Sequence, residues 1–313
     1  MSEKKATREG YGAGLLALGE QNKDIVALDA DLAKSTKSIL FGKKFPERFF
    51  DMGISEQDMI GTAVGLAIAG KIPFASSFAM FLCGRAFEPI RNAVAYSSFN
   101  VKLAGSHSGL MTGEDGATHQ AIEDISLMRG IPTMKVIQPM DYWEAYSSVF
   151  ESAKIKGPVY LRLCREKANS FFAENYEFKL GKSVSLMEGK DVSIIGCGPV
   201  LNEALIAAQE LKKKKISCEV INMSSIKPLD EMQVLKSVKK TGLIFSLEDH
   251  SIIGGLGSAI TEYLSEAYPS KVIRIGVPDI FGESGKPMEL WQKYGLNSEA
   301  IQKTIELNLK EKK

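Results

Sequence analysis

The sequence predicts an α/β fold with two domains, each a three-layer αβα sandwich, and three observations lead there. Short apolar runs alternate with helical patterns through the first half, the rhythm of βαβ units around a parallel sheet. Periodicity lapses between residues 168 and 190, where charge, aromatics and glycine mix, and then a fresh strand, turn and helix begin. The chain has 313 residues, 44% hydrophobic and 25% charged, enough for two domains with their own cores. The expected division is a first domain over 1–167, a linker over 168–190 and a smaller second domain over 191–313.

In the first domain the pattern predicts a helix over 10–20, then a strand over 24–29. A helix over 55–69 opens at Ser55, where Asp58 three residues on predicts a capping box, and stops at Gly70. There follow a strand over 72–76, a helix over 85–97, a strand over 100–105, a helix over 119–129 and a strand over 133–137. A helix over 141–153 and a strand over 158–163 complete it. In the second domain DVSIIGCGPVLNEALIAAQ reads as strand, glycine turn and amphipathic helix, while TGLIFSLED and KVIRIGVP supply further strands. The GCGPV turn lacks the third glycine of a dinucleotide fingerprint and no P-loop lysine follows it, so it reads as structural. The lysine run 212–215 reads as the solvated end of a helix, where cations suit the dipole.

Composition narrows the function. Lys and Arg total 39 against 38 Asp and Glu, so no global field favours nucleic acid or an anionic membrane. The four cysteines are scattered without a C-x-x-C pair, which argues against a disulfide framework or a structural zinc site and for a reducing cytoplasm. The start, MSEKKATREG, is charged, and no stretch approaches the roughly 18 apolar residues of a membrane span. A cytoplasmic protein that meets no membrane is expected.

Three segments carry chemistry. In MGISEQDMIGTAVGLAIAG, over 52–70, Glu56 stands alone in the first turn of a small, apolar helix, where a carboxylate also suits the positive dipole end. Gly61, Gly65 and Ala69 are four apart on one face and permit close approach of another backbone. FASSFAMF then sets Phe74, Phe78 and Phe81 just after a strand, where rings could wall a flat heterocycle. Finally GSHSGLMTGEDGATHQ, over 105–120, places two of the chain's three histidines, His107 and His119, around Asp115 in a glycine-rich loop.

These segments resemble the transketolase group of thiamine diphosphate enzymes, specifically the pyrimidine-binding and carboxy-terminal domains, over nearly the whole chain. The most specific feature is GEDGATH with a histidine eight residues ahead of its aspartate. The resemblance implies that Glu56 activates the cofactor by bonding the aminopyrimidine nitrogen, so that the exocyclic nitrogen can take the thiazolium C2 proton. An apolar cleft around Glu56 would raise its pKa and help that sharing. It further implies that Phe78 and Phe81 pack against the pyrimidine, although the family's third aromatic is Gly84 here. His107 and His119 would be catalytic as well as substrate-binding, meeting sugar hydroxyls and phosphate with imidazoles that can donate and accept protons as the carbon–carbon bond is cut and re-formed. Asp115 would meet the hydroxyl at C2 of the acceptor aldose. Arg8, Ser35 and Arg165 match the family's phosphate site, where guanidinium forks and a hydroxyl suit a sugar phosphate. His250 reads as a packing or interface residue.

The G-D-G run followed by Asn, which in this family holds magnesium and the diphosphate, is missing from the sequence. The resemblance therefore implies a partner: an N-terminal diphosphate-binding subunit of roughly 270 residues, carrying G-D-G…N and Mg2+, in an α2β2 assembly that transfers a two-carbon ketol unit between sugar phosphates. The small-residue face of helix 55–69 would lie near a subunit contact. Other readings are a 1-deoxyxylulose-5-phosphate synthase-like subunit, which shares the run from Arg85 to Glu88 but resembles an arginine at His107, and a 2-oxo acid dehydrogenase E1β-like subunit, which lacks the DGATH arrangement. A non-catalytic scaffold would need none of these polar residues.

Overall fold

The structure, a computed structural model, describes residues 4–311; the first residues of the charged start lie outside them. Seven strands form the first sheet, in the order Ser225–Lys227, Lys135–Ile137, Val159–Arg162, Lys102–Ser106, Ile72–Phe78, Ile25–Asp29 and Phe49–Asp51. All are parallel except Ser225–Lys227, which pairs antiparallel with Lys135–Ile137. Five strands form the second, in the order Val272–Val277, Ile244–Ser251, Val192–Gly196, Cys218–Asn222 and Val184–Met187, with only the last antiparallel. The central strands are buried along their whole length, as for IVALD at Ile25–Asp29, because helices cover both faces of each sheet.

One strand stitches the halves together: Ser225–Lys227, from the second half of the chain, edges the first sheet. Lys5–Ala6 pairs with Lys167–Ala168, closing the first domain's start on its end. Helix Thr7–Gln21 lies so close to helix Tyr142–Lys154 that a Cβ on Gly10 would stand 2.1 Å from the Tyr142 carbonyl oxygen. Among the described residues no helix is long and apolar enough to cross a membrane.

Three local expectations need correction. The capping box at Ser55 does not form: helix Glu56–Ile68 has no side-chain cap, and the Ser55 hydroxyl donates to the Met52 carbonyl at 2.6 Å. The helix expected over 85–97 begins earlier and is interrupted by wide turns, Phe81–Arg85 and Ile90–Tyr96, on either side of the short α-helical piece Phe87–Pro89. Pro89 has no N–H to give the Arg85 carbonyl, and the Gln57 amide takes that carbonyl at 2.9 Å. The helix expected over 119–129 shrinks to Asp124–Gly130. Its first residues cannot wind up because other elements hold their carbonyls: Gly109 N–H and Arg162 donate to Ala121, and Ser251 N–H to Ile122.

Candidate active site

Candidate residues gather where parallel strands of the first sheet end. Phe78 closes strand Ile72–Phe78, His107 follows Lys102–Ser106, Ser35 follows Ile25–Asp29, and Arg165 follows Val159–Arg162. This edge is where open α/β sheets bind ligands.

Glu56 begins its helix and is 1% exposed. Its Oε2 accepts from Arg85 Nη1 at 2.7 Å, and its Oε1 from the Ser77 hydroxyl at 3.4 Å. The expected apolar cleft is corrected here, since a guanidinium faces the carboxylate. Arg85 is half-exposed and its Cζ lies 4.8 Å from the centre of the Phe81 ring. That ring runs nearly parallel to Phe78, with centroids 6.0 Å apart at 17°. Phe74 takes no part: it is fully buried in the core with Tyr11, Leu15 and Phe41. At Gly84, in place of a third ring, the surface is exposed.

His107 stacks on Phe78 at 3.9 Å, while His119 meets Phe81 edge-on at 5.1 Å and holds the Thr118 hydroxyl at 2.9 Å through Nδ1. The tautomer of His107 follows from its partners. Arg8 Nη1 lies 3.1 Å from Nε2 and can only donate, so Nε2 accepts and Nδ1–H points to the Ser106 hydroxyl at 2.9 Å. Burial first, then the nearby Arg8 and Arg165, pushes the His107 pKa down from 6.5 to about 3, which fixes a neutral ring. Its backbone is left-handed, with φ of 56°, and the Thr112 hydroxyl grips its carbonyl at 2.7 Å.

Arg8 also donates to the Ser35 carbonyl at 3.0 Å, so Ser35 engages here through its backbone. The Arg8 Nε is buried without a hydrogen-bond partner, and burial lowers the Arg8 pKa, with the Arg165 charge adding to the effect. Arg165 donates to the Thr112 carbonyl at 2.9 Å and to Asp115 at 3.3 Å. All nine predicted residues thus fall into one contact network. It runs from Glu56 through Arg85, Phe81, Phe78 and His107 to Arg8 and Ser35, with His119 against Phe81 and Asp115 joined through Arg165 and Thr112.

Sequence reasoning missed several supporting residues. In the sequence Arg85 stands only as part of a run that discriminates between subfamilies, and the resemblance assigns no role to Thr112, Gln120 or Asp249. Asp249 takes the backbone N–H groups of Leu110 and Met111, and Gln120 donates to the carbonyls of Gly113 and Glu283. An available signal is the acidic pair, Glu248 and Asp249, that follows the apolar Ile244, Phe245 and Leu247 within one strand. Arg162, mid-strand in VYLRL, carried the same kind of signal. His250 packs at the domain junction, its Nδ1–H on the Ser251 carbonyl at 2.7 Å and its Nε2 facing Ser126 N–H at 3.4 Å.

Residues 3–170 match the transketolase pyrimidine-binding domain and residues 181–301 the transketolase C-terminal domain. The chain belongs to the transketolase family. It is 48% identical to the putative transketolase C-terminal section of Methanocaldococcus jannaschii, over 96% of this chain and 95% of the relative. It is 43% identical to a 6-deoxy-6-sulfo-D-fructose transketolase subunit of Clostridium sp., over 94% of this chain and 91% of the relative. A solved split gene transketolase, described as an inactive β4 tetramer, superposes with a TM-score of 0.91 at 48% identity, covering 97% of this chain and 98% of that one. This transketolase-family chain thus spans nearly the whole length of both relatives and of that solved chain. Among its described residues no group of three or more His, Cys, Asp or Glu side chains is placed to hold a metal ion.

Proposed function

We propose that the chain is the pyrimidine-side subunit of a thiamine diphosphate-dependent transketolase, active with a second subunit that binds the diphosphate and Mg2+ through G-D-G…N. One observation carries the reading: a buried carboxylate, Glu56, connects through Arg85 and two near-parallel rings to a neutral histidine flanked by two arginines. A carboxylate beside stacked rings fits a flat aminopyrimidine, which offers both a π face and a ring nitrogen. When bound, thiamine diphosphate supplies the carbon centre that lets a carbon–carbon bond be cut and re-formed.

This chain's own residues supply the rest. Glu56 Oε2 is already engaged by Arg85, so Oε1, with only Ser77 at 3.4 Å, is the oxygen that would hold the proton shared with the ring nitrogen. Phe78 and Phe81 exclude water from that proton. Arg8 and Arg165 repel one another, and Arg8 keeps an unpartnered buried N–H; a sugar phosphate between them relieves both. His107, held neutral, orients Arg8, while His119 leaves Nε2 for a sugar hydroxyl, and Asp115 would meet the C2 hydroxyl of the acceptor. The reaction is transfer of a two-carbon ketol unit from a ketose phosphate such as xylulose 5-phosphate to an aldose phosphate. On helix Glu56–Ile68, a Cβ added at Gly61 or Gly65 would meet nothing within 4 Å and Ile68 is 66% exposed, a surface suited to the subunit contact of an α2β2 assembly in the cytoplasm.

The test is reconstitution with a G-D-G…N subunit, thiamine diphosphate and Mg2+, followed by ketol transfer from xylulose 5-phosphate to ribose 5-phosphate. A sulfonated ketose, the substrate class named for one relative, is assayed alongside because it offers the same guanidiniums an anion. Glu56→Gln should lower kcat by at least about 100-fold with an unchanged melting curve. Unaltered turnover in that variant, or full activity of the lone chain, overturns the proposal.

A further inference from the structure

The loop that presents His107 is held from the second domain. Asp249, on strand Ile244–Ser251, is 2% exposed, and its two carboxylate oxygens accept the N–H groups of Leu110 at 3.0 Å and Met111 at 3.3 Å. The fit is close: a Cβ on Gly109, whose φ is 72°, would stand 2.4 Å from Asp249 Oδ2, so only glycine lets the backbone reach that carboxylate. Arg162 ties the same region down from below, donating at 3.0 Å both to the Asp249 carbonyl and to Ala121 at the far end of the loop.

The hold passes to the imidazole through one side chain. Asp249 fixes the first two residues of the turn Leu110–Asp115, and the third, Thr112, donates its hydroxyl to the His107 carbonyl at 2.7 Å. That contact matters because His107 sits at φ of 56°, a left-handed conformation that a non-glycine residue keeps only where its surroundings impose it. Release of the turn lets the backbone relax to an ordinary conformation and carries the ring off Arg8 and Phe78.

We propose that Asp249 is a positioning residue for His107, acting across the domain boundary through Thr112. The structural part stands on these contacts alone; its effect on sugar-phosphate binding rests on the function proposed above. The second domain then belongs to the active site without contributing an atom that touches substrate.

The experiment uses the full chain labelled with 15N-histidine, which has only His107, His119 and His250 to resolve. Asp249→Asn keeps one acceptor but turns an NH2 toward the other loop amide. The parent should show His107 as a single Nδ1–H tautomer that stays neutral above about pH 5. In the variant we expect mixed tautomers and a His107 midpoint raised by more than about one unit toward the ordinary value. In the reconstituted enzyme the KM for phosphorylated ketose should rise about 5- to 30-fold with kcat within about 2-fold. A folded Asp249→Asn protein whose His107 tautomer and midpoint match the parent overturns the inference. If that variant does not fold, Thr112→Val cuts the same relay one step nearer, and an unchanged His107 there overturns it equally. A shifted His107 with an unchanged KM upholds the relay and counts instead against the sugar-phosphate role proposed for the site.

Discussion

Replacing Arg162 by Met should destabilise the protein by about 3–5 kcal/mol, because it strands a buried carboxylate. Arg162 and Asp124 are 0% and 1% exposed. Nε lies 2.8 and 3.0 Å from the two Asp124 oxygens, and Nη2 donates to the Ala121 and Asp249 carbonyls at 3.0 Å. Met fills the volume of the stem but leaves Asp124 only the Tyr160 hydroxyl, at 2.6 Å, takes the donor from the Asp249 carbonyl and leaves Ala121 only the Gly109 N–H. With an unfolding entropy of about 2.1 cal/mol/K per residue, 313 residues give about 0.66 kcal/mol/K, so the loss lowers Tm by about 5–8 °C. Scanning calorimetry at fixed protein concentration reads it. The companion experiment is the double variant Arg162→Met, Asp124→Leu, which removes both charges and should recover most of the loss, since a buried pair replaced by apolar groups is often neutral. A single variant within about 1 °C of the parent, or a double variant no better than the single, refutes the view that the cost lies in an unpaired buried charge.

Two further outcomes follow from the site. The pKa of His107 is pushed down on folding, so the unfolded chain binds the extra proton; the associated stability is full above 6.5 and is lost as pH falls from there toward 3. Urea unfolding of the parent and of His107→Asn should therefore converge by about 2 kcal/mol between pH 7 and pH 5, and parallel curves would contradict a buried, neutral His107. Arg165→Ala removes one guanidinium from the anion site and should raise KM for sugar phosphates about 10-fold with little change in kcat. An equal effect on an unphosphorylated ketose would show that Arg165 does not read the phosphate.

The fold was legible because parallel sheets bury both faces and so write themselves as apolar runs such as IVALD and VSIIG. Legibility stopped where tertiary contacts captured local backbone. Ser55 offered a capping box, yet its hydroxyl found the Met52 carbonyl first. Residues 119–123 carry no local signal against a helix; what unwinds them is Arg162 and Ser251, distant in sequence, taking their carbonyls. The site shows the same division. Glycines and paired histidines announce a functional loop within a few residues, whereas the brace on that loop comes from Asp249, 139 residues beyond Leu110. Nothing in either segment names the other.

Arg85 bears on how Glu56 can be buried in this chain by itself. A carboxylate as buried as Glu56 cannot stand alone, because an isolated buried charge costs several kcal/mol. On the function proposed above, the group that finally answers the carboxylate would arrive only on assembly, so the lone chain would need a resident substitute. Arg85 has the required properties. Its guanidinium reaches Oε2 at 2.7 Å and rests against the Phe81 ring, yet its side chain is 47% exposed and so can withdraw into water at low cost. A rigid, buried counter-ion would stabilise Glu56 as well but would block its use. On the proposed function, the half-exposed arginine would resolve that conflict, keeping the acid paired in the lone chain while leaving Oε1 for the ring nitrogen after assembly.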